Sequence, residues 1–299
     1  MTDNLRGIVA VLVASVAFVL NDASVKLVSD ELPSGEIIVV RGVLATALLT
    51  AGVLAAGALR PLSLLATPMM ALRLASAAGA TVFIVLSLRY LPLATVITVL
   101  QVTPLAVTAG AALIYGERVG LARWLAALTG FAGVVLIVRP GAGFGAAAYL
   151  ALVTLVFTTT RDLSTRGLDR DIPSIFVAAA STAAITLAGF LVAPFDADWI
   201  RPSASAWVLM CASAACLFVA NTAIIMAMRS GEISVIAPFR YTMVPMSIGL
   251  GYWLWGDLPD ALASAGIGMV LAAGLYTLHR ERSSLVRRAA PAVQRSPAE

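Results

Sequence analysis

Runs of about 20 apolar residues recur from one end of this chain to the other, separated by a few charged residues, prolines or glycines. At about 1.5 Å of rise per helical residue, each run is long enough to cross a hydrocarbon core of roughly 30 Å. Of the 299 residues 60% are hydrophobic and 12% charged, whereas soluble domains average about 45–50% and about 25%. A water-soluble fold has nowhere to hide that much apolar surface. The pattern predicts an all-α integral membrane protein with lipid as its main solvent and partner.

Reading the apolar runs between their breaks predicts ten transmembrane helices, near 7–28, 35–57, 69–89, 92–115, 121–138, 144–165, 173–193, 204–228, 232–255 and 260–279. The loops between them are too short for a separate soluble domain. Arg6 followed by the apolar run Gly7 to Leu20 has the look of a signal peptide. With no soluble domain after it, the run is read as the first span. The segment 280–299, with Arg280, Arg282, Arg287 and Arg288, lacks apolar periodicity and is predicted to be a disordered basic tail.

Basic residues set the orientation, because loops rich in Lys and Arg stay cytoplasmic. With the N-terminus inside, fourteen arginines fall on the cytoplasmic side, Arg118, Arg170, Arg229 and Arg295 among them. Lys26, Arg89, Arg139 and Arg201 fall outside. Both termini are therefore expected in the cytoplasm, in a multi-pass protein of a bacterial inner membrane.

Sliding the chain against itself by 140 positions reveals an internal repeat. Asp22, Ser24, Lys26, Pro33 and Ser34 meet Asp162, Ser164, Arg166, Pro173 and Ser174, and Arg89 meets Arg229. Tyr115-Gly116-Glu117 meets Trp255-Gly256-Asp257, and Pro104 meets Pro245 once a one-residue gap is allowed. The repeats span 7–138 and 144–279. Each holds five spans, an odd number, so the second half enters the membrane upside down relative to the first. Inverted repeats are the architecture of secondary transporters, whose halves exchange conformations to expose one site to each side in turn.

At these residues the chain resembles the drug/metabolite transporter superfamily, specifically ten-helix proteins built from two EamA repeats. The motif that carries the likeness ends the fourth helix of each half: Pro104 leading to Leu-Ile-Tyr-Gly-Glu117, and Pro245 leading to Trp-Leu-Trp-Gly-Asp257. Within that superfamily it looks most like the YddG-type bacterial amino-acid exporters. The resemblance implies a central cavity between the halves and export of amino acids, aromatic ones among them.

Charged groups inside a span cost roughly 2.5–3.5 kcal/mol on insertion scales, which makes each a functional candidate. Arg240 lies about nine residues into its helix, roughly 13 Å deep, between Pro238 and Pro245. A guanidinium there suits a substrate carboxylate, held bidentately; the plainer account is a cation satisfied by carbonyls that the prolines free. Thr98, Gln101 and Thr103 occupy the matching place in the first half, opposite Arg240, Tyr241 and Thr242. Asn221 and Thr158 to Thr160 are further polar candidates, either for substrate or for interhelical bonds. Arg41 either joins the site, snorkels, or pairs with Glu36.

Asp22 with Lys26, and Asp162 with Arg166, are i, i+4 acid–base pairs near opposite faces. They stand either as helix-end ion pairs worth a few tenths of a kcal/mol or as gates that change partner. Phe83 and Phe218 are expected to face lipid or pack, and Tyr252, Trp253 and Trp255 to form an interfacial belt. Gly130, Gly133, Gly266, Gly268 and Gly274 suit close helix packing. Cys211 and Cys216 are read as small packing residues without metal or disulfide spacing. Gly141 and Gly143 are read as a loop.

No GxxxxGK[ST] phosphate loop, HExxH zinc site or GxSxG nucleophile elbow occurs, so neither a self-contained ATP-driven pump nor an enzyme is expected, and no metal or cofactor. The net charge of +4 lies in short loops and the tail, not in a nucleic-acid patch. The sequence therefore predicts a monomeric carrier for a small-molecule substrate, alternatives being a drug-efflux carrier and a channel-like facilitator.

Overall fold

In a computed structural model the chain is described over residues 3–289, apart from 118, 140–144, 146, 170, 197, 231 and 232. Arg118, Arg170, Gly141, Gly143 and the tail from 290 onward, Arg295 included, lie outside the described residues. The described residues form helices and contain no strand. They run α1 Asp3–Val28, α2 Ser34–Ala55, α3 Pro68–Tyr90, α4 Leu93–Leu100, α5 Thr103–Tyr115, α6 Leu121–Val138, α7 Ala147–Arg166, α8 Ser174–Val192 and α9 Ala204–Ser230. The series ends with α10 Ile233–Ile236, a 3₁₀ turn Ala237–Thr242, α11 Met243–Trp255 and α12 Ala261–Ala289.

Eight segments are long and apolar enough to cross a membrane: α1, α2, α3, α4 with α5, α6, α8 continued to Phe195, the first part of α9, and α12 from Ala261 to Arg280. The ten expected spans thus reduce to eight by this measure. Both remaining segments depart from a plain apolar helix. The last two turns of α7 carry Thr158, Thr159, Thr160, Arg161 and Asp162, and the ninth expected span is interrupted between α10 and α11. The expected fourth span is broken as well, between α4 and α5. The final helix continues to Ala289, so residues 280–289 are helical rather than disordered.

Four helix pairs carry the main packing: α1 with α9, α3 with α7, α2 with α8, and α6 with α12. Under the 140-residue offset the first two pairs are copies of each other, while the last two join each helix to its own counterpart. Small residues let the self-paired helices meet closely. A Cβ on Gly133 would lie 2.7 Å from the Gly266 carbonyl, and one on Gly266 2.6 Å from the Gly133 carbonyl. A Cβ on Gly42 of α2 would collide with Thr186 of α8. Beside it, the Thr46 and Thr186 hydroxyls, 140 positions apart, lie 3.2 Å from each other. Gly130 and Gly274 also face close neighbours, whereas Gly268 faces open space.

The helix-ending motif has a backbone reason. Gly116 closes α5 at φ 66° and Gly256 closes α11 at φ 71°, left-handed conformations that glycine adopts without a Cβ penalty. Leu93, Val96, Ile97 and Val99 bury α4 on every side, and large aliphatic side chains such as Leu113, Leu128 and Val208 project outward, as lipid-facing residues do. At one end of the α6–α12 pair Arg139 bonds to Asp260, which caps α12 through the Ala263 N–H at 2.9 Å. These bonds, that from Arg139 foremost, hold the exposed Asp260 carboxyl below its ordinary value. Cys211 and Cys216 are free thiols, and Cys211 is exposed rather than packed.

Candidate functional site

The two interrupted helices meet. Pro104 has no N–H to offer the Leu100 carbonyl four residues back, and the Thr103 hydroxyl donates to that carbonyl instead, at 2.6 Å. In the second half the Thr242 hydroxyl makes a matching bond to the carbonyl three residues back, that of Phe239, again at 2.6 Å. The two threonines are 139 positions apart. Between the breaks, Gln101 Nε2 donates to the Arg240 carbonyl at 2.9 Å, joining two residues that are themselves repeat counterparts.

Tyr241 and Val244 beside Arg240 are buried, yet the Arg240 side chain is exposed. It lies within electrostatic reach of Asp162 and Arg161. The 3₁₀ turn packs on α1, α10, α11 and α12, while α7 packs chiefly on α3, α5 and α4. Arg240 thus sits on the interrupted helix with a charged pair of α7 as its nearest ionic neighbours.

The other expected contacts are distributed around this centre. Gln101 is 7% exposed, so its amide acts here as a tether between the halves. Thr98 is fully buried and its hydroxyl returns to the Ala94 carbonyl at 2.7 Å. Tyr241 is buried with its hydroxyl against Gly274 of α12, on the packing side of the turn. Asn221 is half-buried and donates to Leu217 O at 2.8 Å. Thr159 and Thr160 likewise return to backbone carbonyls of α7.

Arg41 belongs to a separate buried network. Its Nη1 reaches Asn21 Oδ1 at 3.5 Å, Ser213 Oγ donates to the same oxygen at 2.7 Å, and Asn21 Nδ2 donates to Asp22 Oδ1 at 2.8 Å. Glu36, its expected partner, is buried and accepts the Ile200 N–H at 3.1 Å instead. A buried cation takes a partner that accepts its hydrogen bonds, and Asn21 of α1, itself held by Ser213 of α9, supplies one.

Neither i, i+4 pair forms, and the replacements are themselves a matched set. Lys26 Nζ donates to the carbonyls of Leu91 at 2.8 Å and Leu88 at 3.1 Å, lies over the Trp255 ring at 5.3 Å, and is within electrostatic reach of Asp257. At the opposite end Arg166 Nη1 lies 3.5 Å from Glu117 Oε1, and the Tyr115 hydroxyl donates to Leu163 O at 3.1 Å. Arg166, Tyr115 and Glu117 are the repeat counterparts of Lys26, Trp255 and Asp257. Trp255 is thus half-buried at a helix junction, while Tyr252 and Trp253 are exposed as a belt requires. Phe83 stacks on Phe157 at 5.5 Å, and Phe218 is exposed.

Sequence reading passed over Asn21, Ser213, Arg73 and Arg161. Arg161 had a signal, since it adjoins Asp162 within an apolar run; the neutral Asn21 and Ser213 had none. An apolar groove of about 410 Å³ between α1 and α11, lined by Val16, Leu20, Met246 and Trp253, carries no charged group and does not include Arg240.

Residues 5–139 match the EamA-like transporter family. The pseudopaline exporter CntI of Pseudomonas aeruginosa is 27% identical over 284 residues, covering 92% of this chain and 96% of its own length. A riboflavin transporter of Vibrio cholerae is 27% identical over 183 residues, 58% of this chain and 59% of that protein. A solved crystal structure superposes with a TM-score of 0.63 at 20% identity, covering 93% of this chain and 98% of that one, a likeness of fold. The first half of the chain is thus similar to EamA-like transporters, and the chain as a whole to membrane transporters of small metabolites. None of the named relatives is described as an amino-acid exporter, so the YddG-type branch gains no support from them.

Proposed function

We propose that this chain is a secondary carrier of ten spans in two inverted five-helix halves, which exports a small carboxylate-bearing metabolite by alternating access. Amino acids are the first substrates to try. The observation that carries the reading is the meeting of two interrupted helices at Gln101 and Arg240, which places an arginine at the joint of an apolar bundle. Interrupted helices at a repeat interface are where transporters of this architecture bind substrate. The mirrored helix pairs, and the Thr46–Thr186 contact 140 positions apart, support the inverted symmetry.

Arg240 anchors the carboxylate, and Gln101 holds the two broken helices in register around it. The Lys26 junction closes the periplasmic end, and the half-exposed Arg166–Glu117 pair leaves the cytoplasmic end the looser one. Rocking of the halves would loosen the first junction and tighten the second, so that Lys26 and Arg166 act as counterpart gates. Asp22 supports the outer gate through Asn21, which it orients toward Arg41 of α2, and Asp162 is the carboxylate within electrostatic reach of Arg240.

Uptake into liposomes containing the purified protein tests this. Saturable uptake of a labelled amino acid, stimulated by unlabelled amino acid inside and lost in Arg240→Ala at normal folding, is the expected result. Unsaturable flux without stimulation identifies a pore, and competition by lipophilic cations alone identifies a drug-efflux carrier; either outcome overturns the proposal.

A further inference from the structure

α3 and α7 run antiparallel, and their packing fixes where Arg73 stands. Met69 of α3 lies against Gly167, just past the end of α7, and further along Phe83 stacks on Phe157. Arg73 is one turn beyond Met69 on the same helix face, which directs it toward the last turns of α7. It lies within electrostatic reach of Arg161 and Asp162. Its Nε and Nη1 are buried and have no hydrogen-bond partner among the described residues.

Arg161 uses its neighbour: Nε and Nη2 both lie 2.9 Å from Asp162 Oδ1. Arg240, on the 3₁₀ turn, lies within electrostatic reach of the same two residues. Among the described residues, three guanidinium groups therefore gather around one carboxylate, an excess of two positive charges within an apolar bundle. Buried or half-buried cations are retained when something anionic completes them. Like charges gathered in a low-dielectric cleft also focus their field on an arriving ligand.

We propose that Arg73, Arg161 and Arg240 form an anion-selecting vestibule, and that the transported metabolite carries two negative groups, either two carboxylates or a carboxylate and a phosphate. This rests on the carrier reading above and narrows its substrate class. Guanidinium forks grip carboxylate and phosphate oxygens bidentately. Arg73 and Arg240 stand on different elements, α3 and the 3₁₀ turn, so a ligand with two anionic ends satisfies both, and Asp162 repels a second anion placed elsewhere. A lone monocarboxylate leaves one of these arginines uncompensated.

The test is thermal unfolding of the detergent-purified full chain at constant ionic strength, with glutarate, citrate, inorganic phosphate, acetate or phenylalanine. Glutarate or citrate is expected to stabilise at concentrations at least about ten-fold below acetate, the ratio produced by one added ion contact of about 1.4 kcal/mol. Arg73→Gln should abolish that preference, and Arg73→Lys should restore part of it. Phosphate outranking the dicarboxylates supports the vestibule and assigns it to phosphorylated ligands. Equal potency of acetate and glutarate on the unmodified protein overturns the proposal, whether or not the variants fold. An unchanged preference in a folded Arg73→Gln protein overturns it too. Saturable exchange of phenylalanine in liposomes without any dianion preference removes the vestibule and leaves the carrier. A dianion preference without saturable exchange of any solute removes the carrier.

Discussion

Replacing Lys26 with methionine should open the outer end of the bundle. Its ammonium ties α1 to the C-terminal carbonyls of α3 and lies over Trp255, at the end of α11. Methionine keeps most of the stem volume and removes every polar contact. A hydrogen bond from a charged group is worth about 1.5–3 kcal/mol where water is excluded. Water takes over both carbonyls once that end opens, so each bond favours the closed state by nearer about 1 kcal/mol. The two together make roughly 2 kcal/mol, about a 30-fold shift toward the open state. The readout is labelling of a cysteine at Thr95, which is 8% exposed on α4. Cys211 and Cys216 are first replaced by alanine, and a membrane-impermeant thiol reagent is added from outside. Labelling should rise by about 10- to 30-fold in Lys26→Met. Arg166→Met should change it far less and in the opposite sense, because an exposed pair is worth about 0–1 kcal/mol. An unchanged labelling rate in a folded Lys26→Met protein refutes the gate.

Two further predictions concern packing and the buried network. Arg41→Met removes the cation within electrostatic reach of the buried Asp22, linked to it through Asn21, and should lower Tm, while adding Asp22→Leu should recover part of the loss; simple additivity of the two losses would show that the residues are not coupled. Gly266→Val places side-chain atoms against the Gly133 carbonyl, a backbone group that cannot rotate away, and should lower stability by about 1–3 kcal/mol; an unchanged Tm would contradict the close approach of α6 and α12.

The amino-acid sequence by itself determined the class of fold and marked the break around Arg240, while the fourth span read as one helix. Apolar run length fixes which segments can lie in lipid, because each unsatisfied backbone group there costs several kcal/mol and a helix satisfies its own. The prolines at 104, 238 and 245 mark the interruptions, since a missing N–H is a local fact. Gly116 and Gly256 mark helix ends for the same kind of reason, and Arg240 is conspicuous as a charge within an apolar run.

Partners were a different matter. The spacing of Asp22 and Lys26 suggested a pair, but i, i+4 proximity is worth only a few tenths of a kcal/mol. Packing brings α9, α2, α3 and α11 around α1, and each contributes a stronger hydrogen-bonding partner: Ser213 and Arg41 to the Asn21–Asp22 network, the carbonyls of Leu88 and Leu91, and the ring of Trp255, to Lys26. In the same way Arg73 comes within electrostatic reach of Arg161 and Asp162 only because α3 packs on α7. Local spacing names the groups that can interact. Which of them do is decided by the helices that tertiary packing sets face to face, where exclusion of water makes a satisfied charge worth more than a neighbour along the chain.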